Sequence, residues 1–272
     1  MKRASASAKI NLSLVVGPRR DDGLHEVVTI LQRIDLADRI ELNEADELRV
    51  TGFAEDTLVR RALELIAAAA GVEPRWSAKI EKKIPVAAGL GGGSSDAATA
   101  LVLANETLEQ PLPPERLHEL ATQLGSDVPF FLTSGPQFAT GNGTELRRVD
   151  LPQDYWIVLV LPRGVAKQST QAIYEAFDER DGGRYFDEQR ASLVDGMVRI
   201  RRPADLGPLP ANDLASSPLS RELGRLGAFR ADVTGAGPAV FGLFLREQDA
   251  RAAGDALRDQ GQVWITVPAW YG

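Results

Sequence analysis

The order of apolar and polar residues predicts a β-rich N-terminal segment. Apolar residues alternate with polar ones, or are β-branched, at residues 10–16 and again at residues 39–43. Such a pattern is typical of strands. Two turn-forming pairs, Gly17-Pro18 and Asp22-Gly23, lie between these stretches and predict loops. The chain is therefore expected to begin with extended structure connected by turns.

Helical and strand patterns alternate through the rest of the chain. The predicted helices have apolar residues three and four positions apart or are rich in alanine, and they cover residues 56–70, 96–108, 113–124, 169–177, 188–199 and 248–259. The later predicted strands cover residues 77–80, 138–139, 146–149, 155–161, 230–234, 239–245 and 263–267. The best candidate for a linker is Pro152-Gln153-Asp154, so we expect two domains, 1–153 and 154–272.

A glycine-rich stretch at residues 85–95, Pro-Val-Ala-Ala-Gly-Leu-Gly-Gly-Gly-Ser-Ser, directly precedes a predicted helix. Glycine lets backbone N–H groups approach an anion, and a helix start adds the positive end of its dipole. The stretch lacks the Gly-Lys-Ser/Thr of the P-loop and the third glycine of the dinucleotide fingerprint. Phosphate binding is favoured over a purely structural turn, because Ser94 and Ser95 add hydroxyl donors.

Composition narrows the class of protein. The 272 residues include no cysteine and two histidines, which excludes disulfides, thiolate metal sites and a cysteine nucleophile and disfavours a histidine-built metal site. The net charge of −7 argues against coating of nucleic acid or of an anionic membrane. Apolar runs such as 65–70 and 156–161 are too short to span a bilayer. We expect a cytoplasmic protein without nucleic-acid or membrane partners.

Phosphoryl transfer needs bound phosphates, positive charge and a carboxylate that accepts the proton of the attacking hydroxyl. Asp127 follows a predicted helix end and precedes an apolar stretch, so a catalytic base and a helix N-cap are equally good interpretations. Taken alone, Lys9 and His25 are typical of surface positions, and Asn11 of the solvent face of a strand. Gly235-Ala-Gly237 fits either a tight strand connection or a second approach to phosphate.

Three motifs in the same order resemble those of the galactokinase, homoserine kinase, mevalonate kinase and phosphomevalonate kinase superfamily. They are Ser-Ala-Lys-Ile-Asn-Leu at 7–12, the glycine-rich stretch with Asp-Ala-Ala at 96–98, and Thr-Gly-Ala-Gly-Pro-Ala-Val-Phe at 234–241. Two further segments resemble motifs of the branch of this superfamily that phosphorylates a cytidylated methylerythritol. They are Asp-Gly-Leu-His-Glu at 22–26 and Leu-Gly-Ser-Asp-Val-Pro-Phe-Phe at 124–131. The resemblance implies an α+β fold with an N-terminal domain like ribosomal protein S5 domain 2, a C-terminal ferredoxin-like domain, and an active site in the cleft between them.

The resemblance also implies roles for individual residues. Asp127 matches the catalytic base and Lys9 its partner, whereas Asn11, His25, Thr170 and Tyr174 match positions that bind the cytidylated substrate. ATP is expected on the glycine-rich stretch, at Pro85, Val86, Ala87, Ala88, Gly89, Leu90, Gly91, Gly92, Gly93, Ser94 and Ser95. Mg²⁺ is expected to accompany ATP, and no metal ligand is assigned because the sequence shows no dedicated acidic cage.

The sequence departs from the family pattern at three positions. Leu24 replaces the tyrosine that usually precedes the histidine in the family. Thr57 replaces an asparagine near the nucleotide, and Ser7 replaces a proline before the Ala-Lys pair. Two other functions stay open at this point: a kinase of the same superfamily acting on homoserine or a mevalonate derivative, and an inactive relative that binds ligands. The sequence makes no prediction of oligomeric state.

Overall fold

The computed structural model describes residues 1–165 and 169–269, and within them it has ten strands and seven α-helices. The strands are β1 (Lys2–Arg19), β2 (His25–Glu44), β3 (Arg49–Thr51), β4 (Trp76–Glu81), β5 (Gln137–Thr140), β6 (Glu145–Arg148), β7 (Trp156–Pro162), β8 (Arg230–Val233), β9 (Val240–Phe244) and β10 (Gly261–Thr266). The helices are α1 (Leu58–Ala70), α2 (Gly92–Asn105), α3 (Pro114–Leu124), α4 (Thr170–Glu179), α5 (Phe186–Met197), α6 (Pro218–Arg225) and α7 (Glu247–Ala256).

The chain forms two compact units. The first unit consists of residues 1–8, 36–86 and 91–134. In it, the end of β2 pairs antiparallel with β4, and β3 pairs parallel with β4. Helices α1, α2 and α3 pack against one another. The ends of α1 follow from its sequence, because the Asp56 carboxylate accepts the N–H group of Val59, and Gly71 takes a left-handed conformation with φ of 66°.

The second unit consists of residues 9–35, 87–90 and 135–272. The first part of β2 pairs antiparallel with β5, which continues as a hairpin to β6. A separate antiparallel sheet has the strand order β10-β7-β9-β8. Its connections, with helices between β7 and β8 and between β9 and β10, are those of a ferredoxin-like domain. Buried apolar side chains join this sheet to α6 and α7, among them Val158, Val240, Phe244, Leu223 and Leu257.

The predicted α+β class with two domains is confirmed, while some element predictions were wrong. Gly17-Pro18 was predicted as a loop but lies within β1, where proline's fixed φ is compatible with extended backbone near a strand end. The helix expected at residues 96–108 begins at Gly92, inside the glycine-rich stretch. The short elements β3 and α6 have no counterpart among the predicted elements. The 153/154 boundary between domains stays a prediction, and the two compact units are interleaved along the chain.

Within the described residues, no helix combines the length and apolar character that crossing a membrane requires.

Candidate active site

Motifs distant in sequence meet in the second unit. The backbone N–H of Lys9 donates to the carbonyl of Leu90 over 2.9 Å, and the Thr234 hydroxyl lies 3.3 Å from the Gly89 carbonyl. Gly89 has a φ of 81°, and a Cβ there would lie 2.3 Å from the Thr234 carbonyl oxygen. Glycine is required at this position because the loop and the 234–237 turn are in backbone contact.

Lys9 is buried in a hydrogen-bonded network. The residue is 3% exposed, and its Nζ donates a hydrogen bond to Asn11 Oδ1 over 2.7 Å. Asn11 Nδ2 in turn donates to the Thr29 hydroxyl, which donates to the Ser13 carbonyl. A Cβ at Gly235 would lie 3.4 Å from Lys9 Nζ. The surface interpretations of Lys9 and Asn11 were therefore wrong, and the ammonium is oriented by a chain of buried polar groups.

A second cluster surrounds His25 in the same unit. The imidazole Nε2 lies 2.7 Å from Asp178 Oδ1, and the ring stacks on Tyr174 with centroids 4.7 Å apart. Phe177 contacts the imidazole edge-on and is itself buried against β1 and β2. This buried phenylalanine fixes α4, so that Tyr174 and Asp178 lie beside the histidine. The surface interpretation of His25, which is 6% exposed, was also wrong.

Thr170 is the first residue of α4 and is exposed. The Ser169 hydroxyl caps this helix by accepting the N–H of Ala172 over 3.0 Å. Thr170 lies four residues, about one helical turn, before Tyr174 and thus on the same face of α4. This placement is compatible with the pocket role that the sequence predicts, although no hydrogen bond of its side chain is recorded among the described residues.

The glycine-rich stretch places a helix start at its centre. Gly91 precedes α2 with a φ of 70°, and no side chain caps the helix there. The first N–H groups of α2, from Gly92 to Ser94, therefore have no intrahelical partner and no side-chain cap. Such a terminus carries partial positive charge and suits phosphate oxygens. Of the two serines, Ser94 is half-buried and Ser95 is 1% exposed.

A lysine that the sequence did not single out lies beside this helix start. Lys82 Nζ donates to the carboxylates of Asp38 and Asp96, the latter over 2.8 Å. The Lys82 Nζ would lie 3.3 Å from a Cβ built at Gly92. Asp38 also accepts the N–H of Ile84, just before the glycine-rich stretch. In the sequence, the only indication of this cluster is the basic character of residues 79–83. The pairing of Lys82 with Asp38, 44 residues away, cannot be predicted from a local pattern.

The Lys82 cluster affects the titration of its members. Burial raises the pKa of Asp96 to about 7, although the ammonium of Lys82 opposes this shift. Burial also disfavours the ammonium of Lys82, but its hydrogen bonds to Asp38 and Asp96 outweigh that and raise its pKa. In addition, the second oxygen of Asp96 has no hydrogen-bond partner among the described residues. An ionised Asp96 is consequently an unfavourable feature of the folded state.

Asp96→Asn is expected to change how stability depends on pH. Between about pH 4 and pH 7 the folded state retains a proton on Asp96 that the unfolded chain has released, so wild-type stability falls as pH rises. The variant lacks this contribution and should gain stability relative to wild type across that window, by up to about 1.4 kcal/mol per pH unit. Urea unfolding at a series of pH values measures it, with exposed Asp46→Asn as control. A difference between Asp96→Asn and wild type that does not vary with pH would contradict it.

Asp127 lies in the first unit, in the turn that follows α3. The N–H of Gly125 bonds to the Ala121 carbonyl and closes α3. The next helix is a short 3₁₀ turn, Pro129–Leu132, whose N-cap residue is Val128 and which has no side-chain cap. The N-cap interpretation of Asp127 is thus not supported. The carboxylate is half-buried and precedes the buried Phe130. Its pairing with Lys9 stays a prediction.

Among residues 1–165 and 169–269, no cluster of three or more histidine, aspartate or glutamate side chains is arranged to hold a metal ion.

These elements define a protein class. Residues 57–135 match the GHMP kinases N terminal domain, and residues 217–263 match the GHMP kinases C terminal domain. A crystal structure of mevalonate kinase, at 16% identity, covers 98% of this chain and 99% of its own with a TM-score of 0.76, which shows the shared fold. The chain is a small-molecule kinase of the GHMP class.

Closer relatives narrow the family. The 4-diphosphocytidyl-2-C-methyl-D-erythritol kinase of Geobacter sulfurreducens is 37% identical over 93% of this chain and 93% of that protein. The enzyme of the same name from Pelotomaculum thermopropionicum is 39% identical over 97% and 96%. A crystal structure of 4-(cytidine 5'-diphospho)-2C-methyl-D-erythritol kinase is 30% identical, covers 98% of this chain and 99% of its own, and has a TM-score of 0.79. The chain belongs to the 4-diphosphocytidyl-2-C-methyl-D-erythritol kinase family.

Proposed function

We propose that the protein transfers the γ-phosphoryl group of ATP to the 2-hydroxyl of 4-diphosphocytidyl-2-C-methyl-D-erythritol, a step of the non-mevalonate route to isoprenoid precursors. The observation that carries this proposal is the convergence of Lys9, the glycine-rich stretch and the 234–237 turn, in a chain whose relatives bear that enzyme's name. Both substrates are water-soluble phosphates, and we place the reaction in the cytoplasm.

ATP binds along residues 85–95 in this proposal. The uncapped start of α2 offers backbone N–H groups to phosphate oxygens, and Lys82 adds a cation next to Gly92. Mg²⁺ bound to the nucleotide would neutralise part of the phosphate charge. Residues 1–153 supply the ATP-binding and catalytic part, and residues 154–272 complete the substrate site.

Asp127 acts as the general base. It accepts the proton of the 2-hydroxyl as that oxygen bonds to the γ-phosphorus and the bond between the γ-phosphorus and the β–γ bridging oxygen breaks, releasing ADP. Lys9 stabilises the negative charge on the attacking oxygen and keeps Asp127 ionised. The buried hydrogen bond from Lys9 to Asn11 supports this role, because it holds the ammonium in one orientation before substrate arrives.

The cytidine part of the acceptor binds at the His25 cluster. Tyr174 offers an aromatic face for the base, His25 a ring nitrogen for hydrogen bonding, and Thr170 a hydroxyl on the same side of α4. Leu24, at the position where the family pattern that the sequence resembles has tyrosine, is 49% exposed. It therefore supplies apolar contact without the ring or the hydroxyl, and binding of the base depends more on Tyr174 and His25.

An acceptor panel tests this proposal. ATP consumption is measured by a coupled assay with the cytidylated methylerythritol, homoserine and mevalonate as separate acceptors. The proposal predicts turnover with the cytidylated acceptor at a kcat/KM at least about 100-fold above the other two, as expected when buried polar groups of a site are left unpaired. Turnover confined to homoserine or mevalonate would replace the substrate assignment. Absence of turnover with all three, in a protein that binds ATP, would indicate an inactive relative.

A further inference from the structure

The turn at residues 234–237 contains two glycines and lies beside Lys9. Gly235 and Gly237 both have positive φ, of 55° and 74°. A Cβ at Gly235 would lie 3.3 Å from the Gly89 carbonyl oxygen and 3.4 Å from Lys9 Nζ, so glycine permits the close approach. The same two glycines leave the backbone of the turn free to adopt other conformations. A group outside the turn is therefore needed to hold it in this one.

The side-chain amide of Asn212 is such a group. The residue is 9% exposed, and its Nδ2 donates hydrogen bonds to the carbonyls of Val233 over 2.9 Å and Gly235 over 2.7 Å. Its Oδ1 accepts the N–H of Leu214 over 2.8 Å. A primary amide offers two N–H donors and an acceptor in one small planar group. Both donors are used on the turn and the strand end before it, and the acceptor is used on the segment of Asn212 itself.

This segment, residues 212–214, is also attached to β1, the strand that contains Lys9. The Asp213 N–H donates to the Leu14 carbonyl over 3.0 Å. The Asp213 carboxylate accepts the N–H of Val16 over 2.9 Å. The segment is thus fixed to β1 by its backbone and by Asp213, while the Asn212 amide extends to the turn.

We propose that Asn212 is a positioning residue for phosphoryl transfer, which holds the 234–237 turn so that the turn orients the ammonium of Lys9. The path to the ammonium is short. The Thr234 hydroxyl accepts the backbone N–H of Asn11 over 3.1 Å, and Asn11 Oδ1 accepts a hydrogen bond from Lys9 Nζ. The inference rests on the proposed function, in which Lys9 stabilises the negative charge on the attacking oxygen.

Two variants remove the anchor in different ways. Asn212→Asp keeps the shape but loses both donors, which brings a carboxylate oxygen against two carbonyl oxygens, and Asn212→Ser shortens the side chain without adding charge. Each is expected to lower kcat by about 10–100-fold, the cost of displacing a reacting group by about 1 Å. KM for the cytidylated acceptor should change by no more than about threefold.

Asn105→Asp is the matched control. Asn105 is also 9% exposed, and its amide donates to the Leu112 carbonyl and accepts the Leu112 N–H. Its replacement removes the same kind of buried hydrogen bond from the far end of α2. The control should lose stability as the Asn212 variants do and keep kcat within about twofold of wild type. A loss of kcat in Asn105→Asp as large as that in the Asn212 variants would overturn the inference.

A double-mutant cycle with Lys9→Met separates positioning from general damage, with Asn212→Ser as the neutral partner. If Asn212 acts through Lys9, Asn212→Ser should lower kcat by less than about threefold once Lys9 is methionine. Equal fold losses in the two backgrounds would overturn the inference. Lack of wild-type turnover with the cytidylated acceptor would instead refute the proposed substrate, and the cycle is then measured with the acceptor that is phosphorylated.

Amide hydrogen exchange tests the anchor without activity. The Gly237 N–H donates to the Thr234 carbonyl over 2.9 Å and closes the turn. Its exchange, followed by NMR, should be at least about tenfold faster in Asn212→Ser than in wild type, because the turn opens more often. In Asn105→Asp it should stay within about twofold of wild type. Unchanged exchange of Gly237 in Asn212→Ser would mean that the turn is held without Asn212 and would overturn the inference.

Discussion

Asp127→Asn is expected to lower kcat by about 10²–10⁴-fold, the range that a positioned general base contributes. Asparagine has nearly the same size as aspartate but cannot accept the proton of the substrate hydroxyl. The half-buried position before the buried 3₁₀ turn keeps the side chain in place, so KM for either substrate should change by no more than about threefold. Steady-state kinetics with the cytidylated acceptor measures both parameters.

The controls for Asp127 separate chemistry from folding. Asp46→Asn removes the same charge from an exposed position of the same compact unit and should retain wild-type kcat. Lys9→Met should also lower kcat, by about 10²–10³-fold, because it removes the group assigned to the developing negative charge. A folded Asp127→Asn protein with near-normal kcat would eliminate Asp127 as the base and leave the family assignment untouched.

Gly89→Ala is expected to reduce the free energy of unfolding by about 2–5 kcal/mol. A left-handed conformation at φ of 81° costs alanine about 1–2 kcal/mol, and displacing packed backbone adds about 1–3 kcal/mol. The added Cβ would lie 2.3 Å from the Thr234 carbonyl oxygen, which belongs to backbone and cannot rotate away. Separation of the glycine-rich stretch from the 234–237 turn should also weaken ATP binding, measured by calorimetry.

Gly71→Ala is the matched control for this prediction. Gly71 ends α1 with a φ of 66°, and a Cβ there would meet nothing within 4 Å. It should therefore show the cost of the left-handed conformation alone, about 1–2 kcal/mol in denaturant unfolding, with unchanged affinity for ATP. Equal losses of stability in the two variants would mean that the contact at Gly89 contributes nothing beyond conformation.

Local sequence signals predicted the fold well where the physical cause is itself local. The Gly71 stop and the hairpin around Gly141-Asn142-Gly143 depend on residues a few positions apart, and the structure contains both. Asp56 was expected as the N-cap of α1, but Thr57 holds that position, and the Asp56 carboxylate instead accepts the N–H of Val59 from one residue earlier. The early start of α2 was missed because glycine has low helix propensity. Gly92 packs tightly all the same, because a Cβ there would lie 3.1 Å from the Ile84 side chain.

The site was less predictable because burial of its polar groups depends on distant partners. Lys9 and Asn11 have the sequence pattern of exposed residues, yet both are buried where the chain near Thr234 returns to β1. Asp178 gave no signal before its contact with His25 was seen. The order of motifs indicated the family and hence the residue roles, whereas the hydrogen bonds that orient those residues could only be found in three dimensions.

One measurement tests the central claim most directly. The protein is incubated with ATP, Mg²⁺ and 4-diphosphocytidyl-2-C-methyl-D-erythritol, and the product is examined by ³¹P and ¹³C NMR. We predict one new phosphomonoester signal, coupling of that phosphorus to C2 of the erythritol, and one ADP formed per product. Transfer to a different hydroxyl, or ATP hydrolysis without any phosphorylated acceptor, would contradict the assignment of this site as a 2-hydroxyl kinase.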